Sequence, residues 1–163
     1  MTAIRPAAPA DGRGIAEVQR TTWAATYGEW IPDVVAEYDV DASAANWAGA
    51  AARPDRHVTV AVDGDRVIGF CASGPDEDRS ELGAIHAVYI LPEAHGRGIG
   101  GRLVADALAW LAERGHGECV LWVAAPNTRS RRFYEHAGFI LDEGDGATDT
   151  WRGLPVVRYR RPC

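Results

Sequence analysis

A cluster of glycines lies between a predicted strand and a predicted helix, and it constrains the fold more than any other feature. The apolar run Leu82–Leu91 predicts a strand, and four glycines fall within the six residues Gly96–Gly101. Apolar residues at helical spacing follow as far as Gly115. Glycines let a backbone approach a ligand closely, and the first N–H groups of a helix have no partner inside it. The pattern therefore predicts an anion site, with a phosphate or pyrophosphate as ligand.

Strands and helices alternate along the rest of the chain. Three helical segments are predicted before residue 53, and Asp63–Asp65 is predicted to form a hairpin turn. Another helix is predicted at Thr128–His136, capped by Asn127. The remaining predicted strands are Thr2–Arg5, His57–Val62, Arg66–Ser73, Glu118–Val123, Phe139–Leu141 and Val156–Arg160. No linker interrupts the pattern, so we expect one α/β domain over residues 1–163.

The glycine cluster also satisfies the dinucleotide-binding spacing at Gly96, Gly98 and Gly101, with Glu118 about twenty residues further on. That interpretation is disfavoured because Pro92–His95 separate the strand from the glycines. Glu118 also lies at the start of the next strand, whereas a residue that contacts ribose belongs at the end of that strand. The chain beyond Glu118 is too short for the second half of such an enzyme.

Composition excludes several kinds of chemistry. The chain has no lysine, which rules out Schiff-base catalysis and the lysine of a P-loop. The net charge of −6 argues against nucleic acid as a partner. The three cysteines are widely spaced and predict neither a disulfide framework nor a metal site. No leader segment and no apolar run approaching ~18 residues is found, so we expect a cytoplasmic protein with no membrane partner.

Two motifs together carry a family resemblance. AVYILPE followed by HGRGIGGRL resembles the acetyl-coenzyme A (acetyl-CoA) signature of the GCN5-related N-acetyltransferase (GNAT) superfamily, with His95 where the family has Gln or Arg. The segment Asn127–Phe139 is similar to the family's downstream helix motif. The resemblance implies an α/β GNAT-like fold. Its mixed central sheet has about six or seven strands, is flanked by helices and splays apart at the acetyl-CoA site.

The resemblance also implies which residues bind the co-substrate, acetyl-CoA, without a metal. Backbone N–H groups of the loop would hold the pyrophosphate, and Arg97 or Arg102 would add charge. Val88 and Ile90 would bond the pantetheine arm like an added strand, and the Val88 N–H would polarise the thioester carbonyl. Asn127 would contact the pantetheine amides as well as cap its helix. The full expected set is Val88, Ile90, His95, Gly96, Arg97, Gly98, Ile99, Gly100, Gly101 and Asn127.

Acetylation of an amine needs an acid for the leaving thiolate and a neutral attacking amine. Tyr134 occupies the family's general-acid position, and a phenol with a pKa near ~10 is protonated at neutral pH. The base is left open. Ala84 stands where many relatives have glutamate, so His86, Glu81 or a chain of water molecules is each a candidate.

The acceptor is expected to be a primary amine of a small molecule. The acidic net charge favours a cationic acceptor, and about half of five N-terminal aromatic residues are expected to line its cleft. These are Trp23, Tyr27, Trp30, Tyr38 and Trp47. The alternatives are acetylation of a peptide or protein N-terminus and a non-catalytic acetyl-CoA sensor. The enzyme is expected to act alone or as a homodimer.

Overall fold

The computed structural model describes residues 1–163 and contains eight strands and five α-helices. The helices are α1 (Gly12–Tyr27), α2 (Pro32–Ala36), α3 (Val40–Ala51), α4 (Ile99–Glu113) and α5 (Thr128–His136). The strands are β1 (Thr2–Pro6), β2 (His57–Asp63), β3 (Arg66–Pro75), β4 (Gly83–Ile90), β5 (Glu118–Ala124), β6 (Ile140–Leu141), β7 (Thr148–Trp151) and β8 (Leu154–Pro162). Short 3-10 turns at Pro9–Asp11 and Pro92–Ala94 precede α1 and α4. No helix has the length and apolarity that crossing a bilayer requires.

All eight strands form one mixed sheet in the order β1-β2-β3-β4-β5-β8-β6, with β7 also paired to β8. Strands β4 and β5 run parallel, and only Gly83 with Cys119 and Ala84 with Val120 are paired between them. Beyond Ala84 the two strands separate, whereas β4 stays paired with β3 as far as Ile90. The expected mixed sheet that splays apart is therefore confirmed.

Helices cover both faces of the sheet. Successive side chains of a strand point to opposite faces, so Thr59 and Val60 mark the two sides of β2. The Thr59 hydroxyl donates to Asp106 of α4 at 2.9 Å. Val60 lies opposite Phe70, whose ring packs against Trp47 of α3. Helices α3 and α4 therefore lie on opposite faces, with the main hydrophobic core against the sheet.

A hydrogen-bond network around one buried tyrosine attaches α5 to β8. The fully buried Tyr159 donates its hydroxyl proton to Glu135 at 2.8 Å and accepts a hydrogen bond from Arg131 Nε at 3.0 Å. Arg131 also donates to the Ala125 carbonyl at 2.9 Å. The network therefore sets the position of α5 relative to the ends of β5 and β8.

The predicted elements are found within a few residues of their expected bounds, with one omission. Strand β7, Thr148–Trp151, is the eighth strand and exceeds the expected six or seven. Its residues are polar and mostly exposed, so no alternating apolar pattern predicts it. Pairing with β8 forms it through a tight turn, in which Arg152 and Gly153 both have positive φ angles of 52° and 82°.

We expect Tyr159→Phe to lower the free energy of unfolding by about 1–2 kcal/mol, because it removes hydrogen bonds to two charged partners. Urea unfolding followed by tryptophan fluorescence measures the change. Tyr134→Phe is the matched control, since the buried Tyr134 hydroxyl bonds no protein group and its loss should change stability little. Equal losses in the two variants would contradict the role of the network.

Candidate active site

The splayed gap between β4 and β5 exposes backbone hydrogen-bonding groups of β4. In an antiparallel pair, bonded and non-bonded residue pairs alternate along the strand. The Leu91 N–H donates to the Ile68 carbonyl at 2.9 Å, so in this register Tyr89 and Ala87 are the residues that bond to β3. The N–H and C=O groups of Val88 and Ile90 therefore face β5, across the gap. With β5 diverging, the Val88 groups and the Ile90 N–H are open to a ligand that lies in the gap, whereas the Ile90 carbonyl is already in contact with the His95 ring.

The loop between the end of β4 and α4 forms a run of free amides. No backbone N–H from Gly96 to Gly101 donates a hydrogen bond within the protein, and Arg102 makes the first helical bond, to Gly98. Gly96 and Gly98 have φ angles of 77° and 73°, which side-chain-bearing residues rarely adopt. Six consecutive donors at the positive end of a helix dipole are suited to a phosphate or pyrophosphate group.

Helix α5 packs directly on this loop. A methyl group added at Gly100 would lie 3.0 Å from two ring atoms of Phe133, so glycine lets the aromatic ring approach the first turn of α4. The contact brings α5 beside the amide run. The sequence predicted glycines for a close approach to a ligand, and the structure gives Gly100 a packing role.

The side chain of Arg97 is engaged elsewhere. Its guanidinium donates to Asp63 at 3.1 Å and also to the hydroxyl of Thr2. This contact lowers the pKa of the Asp63 carboxyl. Arg97 is therefore left with only its backbone N–H in the amide run, whereas the side chain of Arg102 is exposed.

The side chain of His95 reaches into the gap. Its Nε2 atom lies 2.9 Å from the Ile90 carbonyl oxygen, and its Nδ1 atom lies 2.6 Å from Nη2 of Arg129 on α5. The ring thus connects the end of β4 to the first turn of α5.

Tyr134 lies buried on α5, with its ring edge-on to Phe133 and Phe139 at 5.1 and 5.9 Å. Its hydroxyl makes no hydrogen bond to a protein group. Burial raises the pKa of this phenol, and the nearby Tyr89 and Cys71 raise it further. The group is therefore protonated at neutral pH and free to donate its proton.

Asn127 caps α5 as predicted. Its side-chain oxygen accepts the N–H of Ser130 at 3.1 Å. The side-chain NH₂ group makes no bond to the protein, so it remains able to donate to a ligand. The cap role is confirmed, and the free NH₂ group is compatible with the expected contact to the pantetheine amides.

His86 occupies a β-bulge in β4. Ala72 pairs with Ala87 and Ser73 with Ile85, which leaves His86 as the extra residue. Burial lowers the pKa of His86, and the adjacent Arg56 guanidinium lowers it further. The neutral imidazole is therefore favoured at neutral pH. Its Nε2 atom accepts a hydrogen bond from Arg56, so this contact must open before Nε2 can act as a base.

The alternative base, Glu81, lies outside β4 at its entry. It precedes Val88 by seven residues, which corresponds to about 20 Å of extended chain. Glu81 therefore stays a candidate base that lies further along the chain from Val88 than His86 does. His86 lies only about 7 Å from Val88 along the strand, close enough to act through one water molecule.

The N-terminal aromatic residues divide into two groups. Trp47 packs on Phe70 and donates to Gln19 at 2.8 Å, and the Tyr38 hydroxyl also contacts Gln19, at 2.9 Å. These two residues hold α3 on α1. The others form an aromatic wall, and they are Trp23, Tyr27 and the partly exposed Trp30. Tyr27 packs against a small cluster that includes Ala124 at the end of β5, which places the wall beside the gap. The Trp23 ring also lies 5.4 Å from the ring of Tyr38, so the two groups are in contact.

Trp151 of β7 completes the aromatic wall. Its ring lies 5.3 Å from Trp23 and 5.7 Å from Tyr27, measured between centroids. Sequence reasoning missed it because it missed β7. The sequence contains one indication of the turn that follows Trp151, which is the dipeptide Arg152–Gly153. Such a dipeptide predicts a turn only weakly.

No group of three or more His, Cys, Asp and Glu side chains is arranged to hold a metal ion. The site instead combines a run of free amides, an open strand edge, a buried phenol and a neutral imidazole. Such a set can bind an anion beside an extended amide chain, and it can donate and accept protons next to that chain.

Comparison with known proteins identifies the family. The model of the acetyltransferase (GNAT) family matches residues 15–139. The chain belongs to the GNAT family. The match includes β4, the amide run and α5, which are the elements that build the site.

Proteins similar in sequence are also described as N-acetyltransferases. An uncharacterized N-acetyltransferase of Archaeoglobus fulgidus is 37% identical over 90 residues, which cover 53% of this chain and 60% of that protein. The uncharacterized N-acetyltransferase YuaI of Bacillus subtilis is 30% identical over 131 residues, which cover 78% of this chain and 74% of YuaI. The match thus spans less than two thirds of the Archaeoglobus relative but about three quarters of YuaI.

A solved structure shows the same GNAT fold over the whole chain. The PaiA N-acetyltransferase of Thermoplasma acidophilum, crystallised in complex with coenzyme A, superposes with a TM-score of 0.79 at 22% identity. The alignment covers 100% of this chain and 99% of PaiA.

We expect the His86 imidazole to titrate below the ordinary value of about 6.5. Because folding lowers its pKa, this histidine reduces the free energy of unfolding as the pH falls below that value. Two-dimensional NMR of the imidazole resonances measures the midpoint. Arg56→Gln should move the midpoint upward, because it removes a neighbouring positive charge, and an unchanged midpoint would contradict this cause.

Proposed function

We propose that the protein is an acetyl-CoA-dependent N-acetyltransferase that acetylates a primary amine of a small molecule. The observation that carries the proposal is the juxtaposition of the free amide run with the open edge of β4. The first suits the phosphates of the coenzyme and the second suits its amide-containing arm. Membership of the GNAT family supports the same conclusion.

The residues present fit the coenzyme. When bound, acetyl-CoA would supply the acetyl group as a reactive thioester. The N–H groups of Gly96–Gly101 would hold the pyrophosphate, and this role needs no lysine because the charge comes from backbone dipoles. The outward-facing groups of Val88 and Ile90, together with the Asn127 NH₂ group, would bond the arm. The Val88 N–H would also donate to the thioester oxygen.

Tyr134 is proposed as the general acid. A buried phenol with a raised pKa keeps its proton at neutral pH, and its hydroxyl is not committed to any protein partner. It can therefore give a proton to a thiolate as that thiolate departs. Its position on α5, one residue after the ring that packs on Gly100, ties the acid to the loop that would hold the coenzyme.

His86 is proposed as the base that keeps the attacking amine neutral. Its lowered pKa favours the neutral imidazole, and its position on β4 is about 7 Å along the strand from the Val88 amide. A bridging water would complete the path, and the acetyl group would then pass directly to the amine in a ternary complex. Glu81 is not proposed as the base, because it lies outside β4 and seven residues before Val88.

The acceptor is proposed to approach past the aromatic wall of Trp23, Tyr27, Trp30 and Trp151. The rings of Trp23 and Tyr27 on α1 contact the ring of Trp151 on β7, and this narrow aromatic enclosure supports a compact amine rather than an extended peptide. Aromatic faces and a net charge of −6 both favour a cationic molecule that releases its proton at the site.

A turnover assay tests the proposal. Purified protein is mixed with acetyl-CoA and a panel of small amines, polyamines, amino sugars and peptides, and thiol release is followed with a thiol reagent. Mass spectrometry then identifies the N-acetyl product. Release that depends on a small amine supports the proposal. Tight coenzyme binding without release on the whole panel would indicate a sensor, and release with peptides alone would indicate a peptide acetyltransferase.

We expect Tyr134→Phe to lower kcat by about 100-fold or more without changing the affinity for acetyl-CoA, because only the acid is removed. Steady-state kinetics and a coenzyme titration measure the two quantities. His136→Gln is the matched control on the same helix, since the exposed His136 ring bonds only the Arg132 carbonyl of its own helix. Full activity in Tyr134→Phe would exclude the phenol as the acid.

A further inference from the structure

The His95 ring occupies the Ile90 carbonyl oxygen at the edge of the gap and also contacts Arg129. The two ring nitrogens have opposite roles. Nδ1 accepts a hydrogen bond from the Arg129 guanidinium, so Nε2 carries the hydrogen that is donated to the Ile90 carbonyl. These two contacts together fix the orientation of the ring and select one tautomer. It spans the gap from the end of β4 to the first turn of α5.

The Ile90 carbonyl oxygen, which His95 contacts, is one of the backbone groups that the coenzyme would bond. The Ile90 carbonyl faces β5, as the register of β3 and β4 requires, and it is an acceptor on the open edge. If the proposed function holds, the pantetheine arm pairs with this edge like an added strand. The arm and the His95 ring then compete for the same oxygen.

Arg129 lies next to the start of the amide run. It contacts the side chain of the residue that immediately precedes the six free amides. A hydrogen bond from a guanidinium to an anion is stronger than one to a neutral imidazole. A phosphate bound by the amide run would therefore draw the guanidinium away from His95.

We propose that His95 and Arg129 form a latch that keeps the pantetheine path closed until the phosphates of the coenzyme bind. Phosphate binding removes the partner of Nδ1, the imidazole is no longer held against Ile90, and the carbonyl becomes available to the arm. The phosphate end then binds first and the arm second. The latch explains how a histidine serves where the family signature has Gln or Arg.

The latch predicts that the two halves of the coenzyme assist each other. Coupling between two ligands is reciprocal, so inorganic pyrophosphate should tighten the binding of a pantetheine fragment that carries no phosphate. We expect an increase of about fivefold to tenfold in the wild type, since one to two hydrogen bonds are released. Tryptophan fluorescence or calorimetry measures the fragment with and without pyrophosphate.

Two variants identify the latch residues. His95→Ala should bind the fragment about fivefold to tenfold more tightly without pyrophosphate, and added pyrophosphate should then have no further effect. Arg129→Gln should also bind the fragment more tightly, but it should bind pyrophosphate more weakly. His136→Ala, at an exposed histidine on α5, is the control and should behave like the wild type.

The outcomes separate the latch from the proposed function. Failure of the wild type to bind intact coenzyme A would overturn both. Binding of coenzyme A without coupling between pyrophosphate and the fragment would overturn the latch alone. Coupling that persists in His95→Ala would likewise exclude His95 as the residue responsible.

Discussion

The separation of β4 from β5 after Ala84 is the constraint on which the rest of the site depends. Parallel pairing between these strands is limited to two residue pairs, although β4 continues to Ile90. Backbone N–H and C=O groups away from water need partners, so a sheet that opens in its interior must satisfy them in another way. Here the His95 ring bonds the Ile90 carbonyl. An opening that would destabilise most sheets becomes a place where a strand-like ligand can pair.

Helix α5 connects the two halves of this site. Its first residues are capped by Asn127, its middle packs Phe133 on Gly100, and Tyr134 follows directly in sequence. The network around Tyr159 holds the helix on β8 from the other side. One rigid element thus relates the amide run, the free NH₂ group and the phenol to one another. A shift of α5 would affect coenzyme binding and acid catalysis together. The contacts of the fully buried Tyr159 oppose such a shift.

Several parts of the site could be predicted from local sequence. The amide run follows from glycines at a helix start, and the Asn127 cap follows from an asparagine before a helical pattern, because both depend on residues within one turn of each other. The strand that carries Val88 and Ile90 follows from its apolar run. Membership of the GNAT family agrees with the resemblance of the two motifs. Strand β7 could not be predicted in this way, because its polar residues are held by pairing with β8 and not by an apolar pattern of their own.

The sequence by itself determined the order of the elements, the free amides of the glycine loop and the identity of the buried phenol. Only the tertiary structure decided which side chains reach the gap. It assigned Arg97 to Asp63, placed His95 against Ile90 and Arg129, and added Trp151 to the aromatic wall. The physical reason is the range of the interactions. Helix caps and glycine turns are made between near neighbours, whereas long polar side chains choose partners that the folding of distant segments brings within about 3 Å.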